Sequence, residues 1–407
     1  MHRHKIAAAV GLATLLGSVG AVIAQATWSQ ADDPIVRTIP LGPGTRTSVN
    51  QLALDEDTHR LFVVGVDDGQ PAGAGGTLDV LDTRTNAVLR SSTPYLYTTS
   101  LIVDKPGGHI VLTSSQSVEV LDAHSGTVVA SNPEIDAGPG VAVDDRTARI
   151  FVANVLRGSV AMLDARTGIL LHVSQVGTMP SDIRADAPTG HVFVSNLLSH
   201  SVSMLDARSG AVLRTIPVGA RPSLVDLQGE RLLVLNYDDQ TLSVLDTRRG
   251  RVLHTLALAE PPLLWTSDGP SGHTFFGARN DVVVRDARTG QVLRVLPLPM
   301  APDDLAFDHK TDRLFVVNAT LDRVDVLNAA NGDVERTIHV ESHPSSLAID
   351  STMGHVFVAT QGGRVGIPDP WRWVPPWLRS RIPFLPRPQT GARTVPASVI
   401  IVDESRL

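Results

Sequence analysis

The segment Ile183–Gly219, IRADAPTGHVFVSNLLSHSVSMLDARSGAVLRTIPVG, holds four short apolar runs separated by turn residues. They are Ile183–Ala185, His191–Ser195, Ser201–Leu205 and Val212–Val218. Each run is too short for a helix, and each alternates or is rich in β-branched residues, so the segment predicts four β-strands. Between the third and fourth, Asp206-Ala207-Arg208-Ser209-Gly210 supplies a turn. The Asp side chain can bond its own backbone there, and Gly offers the positive φ that closes a hairpin.

The third run and its turn recur along the chain. They read TLDVLDTRTN from Thr77, SVEVLDAHSG from Ser117, SVAMLDARTG from Ser159 and SVSMLDARSG from Ser201. They continue as TLSVLDTRRG from Thr241, DVVVRDARTG from Asp281, RVDVLNAANG from Arg323 and SVIIVDESRL from Ser398. Four strands repeating about every 41 residues are the signature of an all-β propeller, in which each blade buries its faces against its neighbours. The eighth unit lacks a fourth strand. Ile35–Gly42, IVRTIPLG, matches the fourth strand VLRTIPVG of Val212–Gly219. The N-terminal strand is therefore expected to complete the last blade as its outermost strand. Pro40, Pro217 and Pro297 fit this placement, because an edge strand tolerates proline.

The units also alternate. His109, His191, His273 and His355 open second strands at a constant spacing of 82, and Arg60, Arg149, Arg231 and Arg313 open the others. A two-unit super-repeat favours an even count, so eight four-stranded blades are expected. Seven is the alternative, if a weak unit such as Leu101–Ser131 is displaced.

The strand–Asn–turn–strand pattern of FVANVLRGSVAMLD, VFVSNLLSHSVSMLD, LLVLNYDDQTLSVLD and LFVVNATLDRVDVLN resembles the YVTN-type β-propeller repeat, with its Asn at Asn154, Asn196, Asn236 and Asn318. The later prolines Pro180, Pro222, Pro302 and Pro344 match as well. The pattern departs at Gly65, Ser114, Gly277 and Thr360, and in two insertions. The resemblance implies a bacterial or archaeal extracytoplasmic protein, periplasmic, secreted or on the cell surface, without fixing one function.

Met1–Lys5 is basic, Ile6–Ala24 is apolar, and Ala24-Gln25-Ala26 offers a small-x-small cleavage site. Residues 1–26 read as a secretory signal peptide, with an uncleaved membrane anchor as the alternative. Residues 27–407 then form one domain. The absence of Cys excludes disulfides and thiolate chemistry. A net charge of −7 without a basic stripe argues against nucleic acid. The chain is expected to be a monomer.

Insertions at Asp67–Gly76 and Gly362–Val395 lengthen the connection from second to third strand in the first and last blades. Such connections leave a propeller on one face, and loops on a rigid scaffold are where function concentrates. Within the second insertion, Trp371, Arg372, Trp373, Trp377, Arg379, Arg381 and Phe384 make an aromatic, cationic stretch among prolines. It suits contact with a partner protein or with a membrane surface. The same face carries the residues just before each innermost strand. Asp182, Arg184, Asp303, Asp304 and Ser345 are the candidates for a ligand at the channel mouth, against the plainer reading of a solvated channel lining.

The repeated His residues fall on alternate blades, too far apart for one metal at about 2 Å per ligand. No metal or cofactor is expected. The DARTG turns are similar to part of the repeat of eight-bladed quinoproteins. The docking Trp of that repeat is replaced here by Leu213, Leu253 and Leu293. The expectation is an extracytoplasmic binding or scaffold protein that contacts an envelope component. The alternative is a lactonase- or lyase-like propeller enzyme with its chemistry around Asp182 and Asp304.

Overall fold

The computed structural model describes residues 34–407, except 42–46, 68–75, 96–97, 106, 115–116, 136, 269–271, 341–342, 367–391 and 396. Eight four-stranded antiparallel sheets follow one another around a ring. Blades 1 to 7 span residues 47–95, 98–132, 137–175, 180–217, 222–257, 264–297 and 304–339. Blade 8 combines residues 344–403 with the strand Ile35–Pro40 on its outer edge. The weak unit near Leu101 forms a complete second blade, so the count is eight and not seven.

Ring closure follows the expected register. Ile35 lies opposite Val402 and Pro40 opposite Ser398, and the Leu41 N–H donates to the Ala397 carbonyl at 2.8 Å. Pro40, Pro217 and Pro297 all end outermost strands, each opposite the first residue of a third strand. There the missing N–H costs no ladder bond.

The core is distributed around the ring. Second and third strands are buried, and the apolar side chains of one blade pack on those of the next. Phe62, Phe151, Phe193, Phe275, Phe315 and Phe357 occupy one equivalent position and are all fully buried. Phe193 and Val202 of blade 4 meet Leu224 and Leu232 of blade 5. At the closure, Phe357 and Ile401 of blade 8 meet Ile39, Leu41 and, in blade 1, Leu61. Burying one such side chain contributes about 1.5–3 kcal/mol.

Two polar devices repeat. In the turn from third to fourth strand, the Asp206 carboxylate accepts the N–H groups of Arg208 and Ser209 at 3.2 and 2.8 Å, and Gly210 adopts φ 75°. The second device is a girdle on the outermost strands. Arg37 donates to the carbonyl of Thr85 in the next blade, Arg90 to Ser125, and Arg294 to Ala329.

The Asn residues that carried the family resemblance have a structural task. Asn236, fully buried, donates to Thr241 and Ser243 and accepts from the Gly219 N–H. Asn196 does the same with Ser201, Ser203 and Gly177. Each ties the entry to its blade to the blade's own hairpin. Arg60 and Arg149, which open second strands, pair with Asp82 and Asp164 at 2.8 and 3.0 Å. His191, in the other register of the alternation, sets its Nδ1 3.0 Å from the Thr247 carbonyl of the next blade and packs edge-on against Phe193.

The turns joining first to second and third to fourth strands lie on one face of the ring, here the hairpin face. The other connections lie on the opposite, insertion face. Both insertions leave from it, in neighbouring blades. The second is carried on a two-stranded ribbon in which Gly363 faces Val395 and Gly366 faces Ala392. The expected aromatic contact residues from Trp371 to Phe384, most of the first insertion, and residues 1–26 lie outside the described residues. Among the described residues no helix is long and apolar enough to cross a membrane.

Candidate functional site

The innermost strands bring the candidate channel-mouth residues to the seams between blades. Asp182 precedes Ile183 in blade 4. Its carboxylate accepts the Ser223 hydroxyl at 2.9 Å and the Leu224 N–H at 3.3 Å, both in blade 5. Two residues on, and so on the same side of the strand, Arg184 donates to the Leu224 carbonyl at 3.3 Å. Together the two side chains satisfy both backbone groups of one residue, as a neighbouring strand would. Asp186 points into the opposite turn, where it takes the Thr189 hydroxyl at 2.7 Å.

The same solution recurs. Gln51 of blade 1 accepts the Leu101 N–H at 2.9 Å and donates to the Leu101 carbonyl at 3.1 Å, doing alone what Asp182 and Arg184 do together. Asp304 of blade 7 accepts the Leu347 N–H of blade 8 at 2.8 Å. Burial pushes the Asp304 carboxyl above its ordinary range, partly offset by that bond. Ser345 donates to the Val49 carbonyl across the closing seam at 3.3 Å. Between blades 3 and 4 the backbones touch directly, and any side chain at Gly140 would collide with the Ser181 carbonyl. Asp303 is different, because it accepts the Ala319 N–H at 2.7 Å within its own blade.

Four of the five candidates therefore act as clasps that hold the innermost strands together at the mouth. The arrangement can resist splaying of the channel. Among the described residues no cluster of three or more His, Asp or Glu groups is placed to hold a metal. Replacing Asp182 by Ala leaves the Leu224 N–H without its acceptor. A stability loss of about 1–3 kcal/mol is expected, read as a lower thermal midpoint, with metal content unchanged by elemental analysis. Loss of a stoichiometric divalent ion in that variant would contradict the clasp role.

Sequence reasoning did not anticipate a groove on the insertion face between blades 5 and 6. It is lined by Tyr237, Gln240, Glu260, Pro261, Leu263 and Arg279. The Arg221 guanidinium lies 5.4 Å from the centre of the Tyr237 ring and pairs with Asp238 at 3.2 Å. Leu156 and Leu198 protrude from equivalent loops of blades 3 and 4, at 82% and 56% exposure. The signal was available as an apolar or aromatic residue directly after the blade Asn, or one further on.

A family model described as outer membrane protein assembly factor BamB matches residues 156–339, from blade 3 to the end of blade 7. No curated protein matches the chain. Several solved structures do. The dihydro-heme d1 dehydrogenase NirN, solved in complex with DHE, aligns with TM-score 0.65 at 13% identity, covering 90% of this chain and 78% of that one. The computationally designed Ika8 protein aligns at 0.60 and 17%, covering 78% and 95%. BamB from Moraxella catarrhalis aligns at 0.56 and 17%, covering 80% and 96%. At such identities the likeness shows the fold alone, and what this chain shares with all of them is an all-β propeller.

Proposed function

We propose that this protein is an extracytoplasmic propeller scaffold that presents its insertion face to an envelope partner. The observation that carries the reading is the asymmetry of the two faces. The hairpin face repeats one turn design from blade to blade. The insertion face carries two insertions in neighbouring blades, the exposed leucines, and the groove beside Tyr237. Loop elaboration on one face of a rigid ring suits binding. The resemblance to the YVTN-type repeat and the partial match to an outer-membrane assembly factor support an envelope location. The enzyme alternative finds less support, because Asp182 and Asp304 are engaged in clasping neighbouring blades.

The contact segment in this proposal is the stretch with Trp371, Arg372, Trp373, Trp377, Arg379, Arg381 and Phe384. Trp and Arg dominate protein interfaces, and together they also suit anionic headgroups. The test replaces residues 368–388 with a short Gly/Ser linker. The variant is expected to keep its thermal midpoint. It should lose association with native envelope fractions, with phosphatidylglycerol vesicles, or with both. Unchanged association in both assays would show that the segment is not the contact surface.

A further inference from the structure

The outermost strand of each blade presents an unpaired row of backbone N–H and C=O groups, which invites another strand unless it is guarded. The eight edges of this ring provide their own comparison. Six carry a charged side chain, several with a proline as well. Arg37 and Pro40 guard blade 8, Arg90 blade 1, and Arg214 and Pro217 blade 4. Arg251 guards blade 5, Arg294 and Pro297 blade 6, and Glu335 with Arg336 blade 7. Two edges have neither. They are Val128–Asn132 of blade 2 and Leu170–Gln175 of blade 3, which are neighbours in the ring.

These two edges are also apolar. Ile169, Leu170, Leu171 and Val173 are 43–60% exposed on blade 3, and Val128 and Val129 are 47% and 44% exposed beside them. A bulge interrupts the outermost pairing between Met162 and Leu163, and the same irregularity recurs in every blade from 1 to 7. It therefore does not distinguish the blades. The regular stretch beyond the bulge, His172–Gln175, lacks both charge and proline, as do Ala130–Asn132 of blade 2 and His254–Ala257 of blade 5. Blade 3 differs from blade 5 in having no Arg on the rest of its edge strand, and from blade 2 in being one regular residue longer.

We propose that this edge is the dimer interface of the protein, with blade 3 of one copy pairing antiparallel with blade 3 of a second. The unpaired main chain calls for a strand as occupant. An antiparallel edge is its own complement about a two-fold axis, so the chain supplies the matching strand itself. The charge pattern favours a second copy in particular. In a protein of net charge −7, this is a stretch of the rim where two copies meet with no like charges opposed. With the axis at Val173, Val173 faces Val173 of the second copy, and His172 faces Ser174. The two blades then form one continuous sheet. The equivalent pairing through blade 6 would centre on Val295, and it would set Arg294 diagonally across from Arg294 of the second copy, opposing like charges. The rim contact leaves the insertion face open, so this inference stands apart from the proposed function.

The cysteine-free chain makes the test clean. Light scattering of the wild type across a micromolar-to-millimolar series is expected to show a mass rising towards that of a dimer. Val173→Cys should cross-link to a covalent dimer under mild oxidation, since facing Cβ atoms in such a pair lie about 4.5–5.5 Å apart. Val295→Cys is the matched control, with the same residue type, the same position in its blade and 52% exposure. It should remain monomeric. Val173→Lys should weaken association at least about tenfold by opposing two charges, with an unchanged thermal midpoint. A wild type that stays monomeric throughout, equal cross-linking at both positions, or a dimer that survives Val173→Lys would each overturn the proposal.

Discussion

A chain that begins at residue 42 is expected to lose at least about 10 °C in thermal midpoint, because it lacks the strand that closes the ring. That strand contributes Ile39 and Leu41, 5% and 1% exposed, to the cluster joining blade 8 to blade 1. Its removal bares the outer edge of Ser398–Asp403 and leaves Arg37 missing from the girdle. An exposed, buried-type edge also invites aggregation. If the truncated chain does not fold at all, the double variant Ile39→Ala, Leu41→Ala keeps the question open to measurement. Each truncation of a buried Ile or Leu costs about 2–5 kcal/mol. A midpoint equal to that of the wild type, in a protein that does not aggregate, would show that the closing strand is dispensable.

The second large effect is on pH. The residue after the last Asp or Asn of each third strand is small in seven blades: Thr83, Ala123, Ala165, Ala207, Thr247, Ala287 and Ala329, all at most 5% exposed. In blade 8 it is Glu404, equally buried. Its Oε2 lies 3.2 Å from the Thr311 hydroxyl, which sits 2.6 Å from Asp308 of blade 7. Burial, and then the Asp308 charge, push the Glu404 carboxyl up to about 7, against a modest pull downward from Arg313. Between 4.5 and about 7 the folded chain holds a proton that the unfolded chain has released, so stability falls as pH rises through this window. At about 1.4 kcal/mol per pH unit the loss is roughly 3 kcal/mol.

The turn carboxylates work in the opposite direction. Backbone N–H groups hold Asp82 and Asp122 below the usual carboxylate range, and Ser209 and Ser405 do so for Asp206 and Asp403. Their contribution is complete above the ordinary 3.8 and is lost as pH falls through the lowered folded values. Thermal midpoints should therefore peak in mildly acidic buffer. Glu404→Gln should flatten the decline towards neutrality while leaving the acid limb intact. Identical slopes for the two proteins between about pH 5 and 8 would refute the role of Glu404.

Much of this architecture was legible in the chain because a propeller repeats its local chemistry. The DARSG turn, the prolines on fourth strands and the match of IVRTIPLG to VLRTIPVG are local signals, and they specified blade count and closure together. The clasps were less legible. Asp182 and Arg184 sit two residues apart, which suggested a shared channel face. Their actual partner, Leu224, lies in the next blade, and only packing brings it within reach. Glu404 was visible as the odd member of the column SVIIVDESRL against SVSMLDARSG. Its significance depends on Asp308, which comes from blade 7 and is brought close only by the packing of that blade against blade 8. The Trp-rich stretch is legible only as composition.

The closing pair also has a mechanical character. Ile35 faces Val402, so the chain entering the first strand and the chain leaving the last third strand emerge at the same end of the ladder. Tension applied between those two points loads the rungs one after another, as in opening a zipper. A pull along opposite ends would load them in parallel, as in shearing a lap joint. The seam that secures the ring against heat is thus loaded rung by rung under a directed pull. A tether ahead of Ile35 would transmit force into that seam before any other blade felt it.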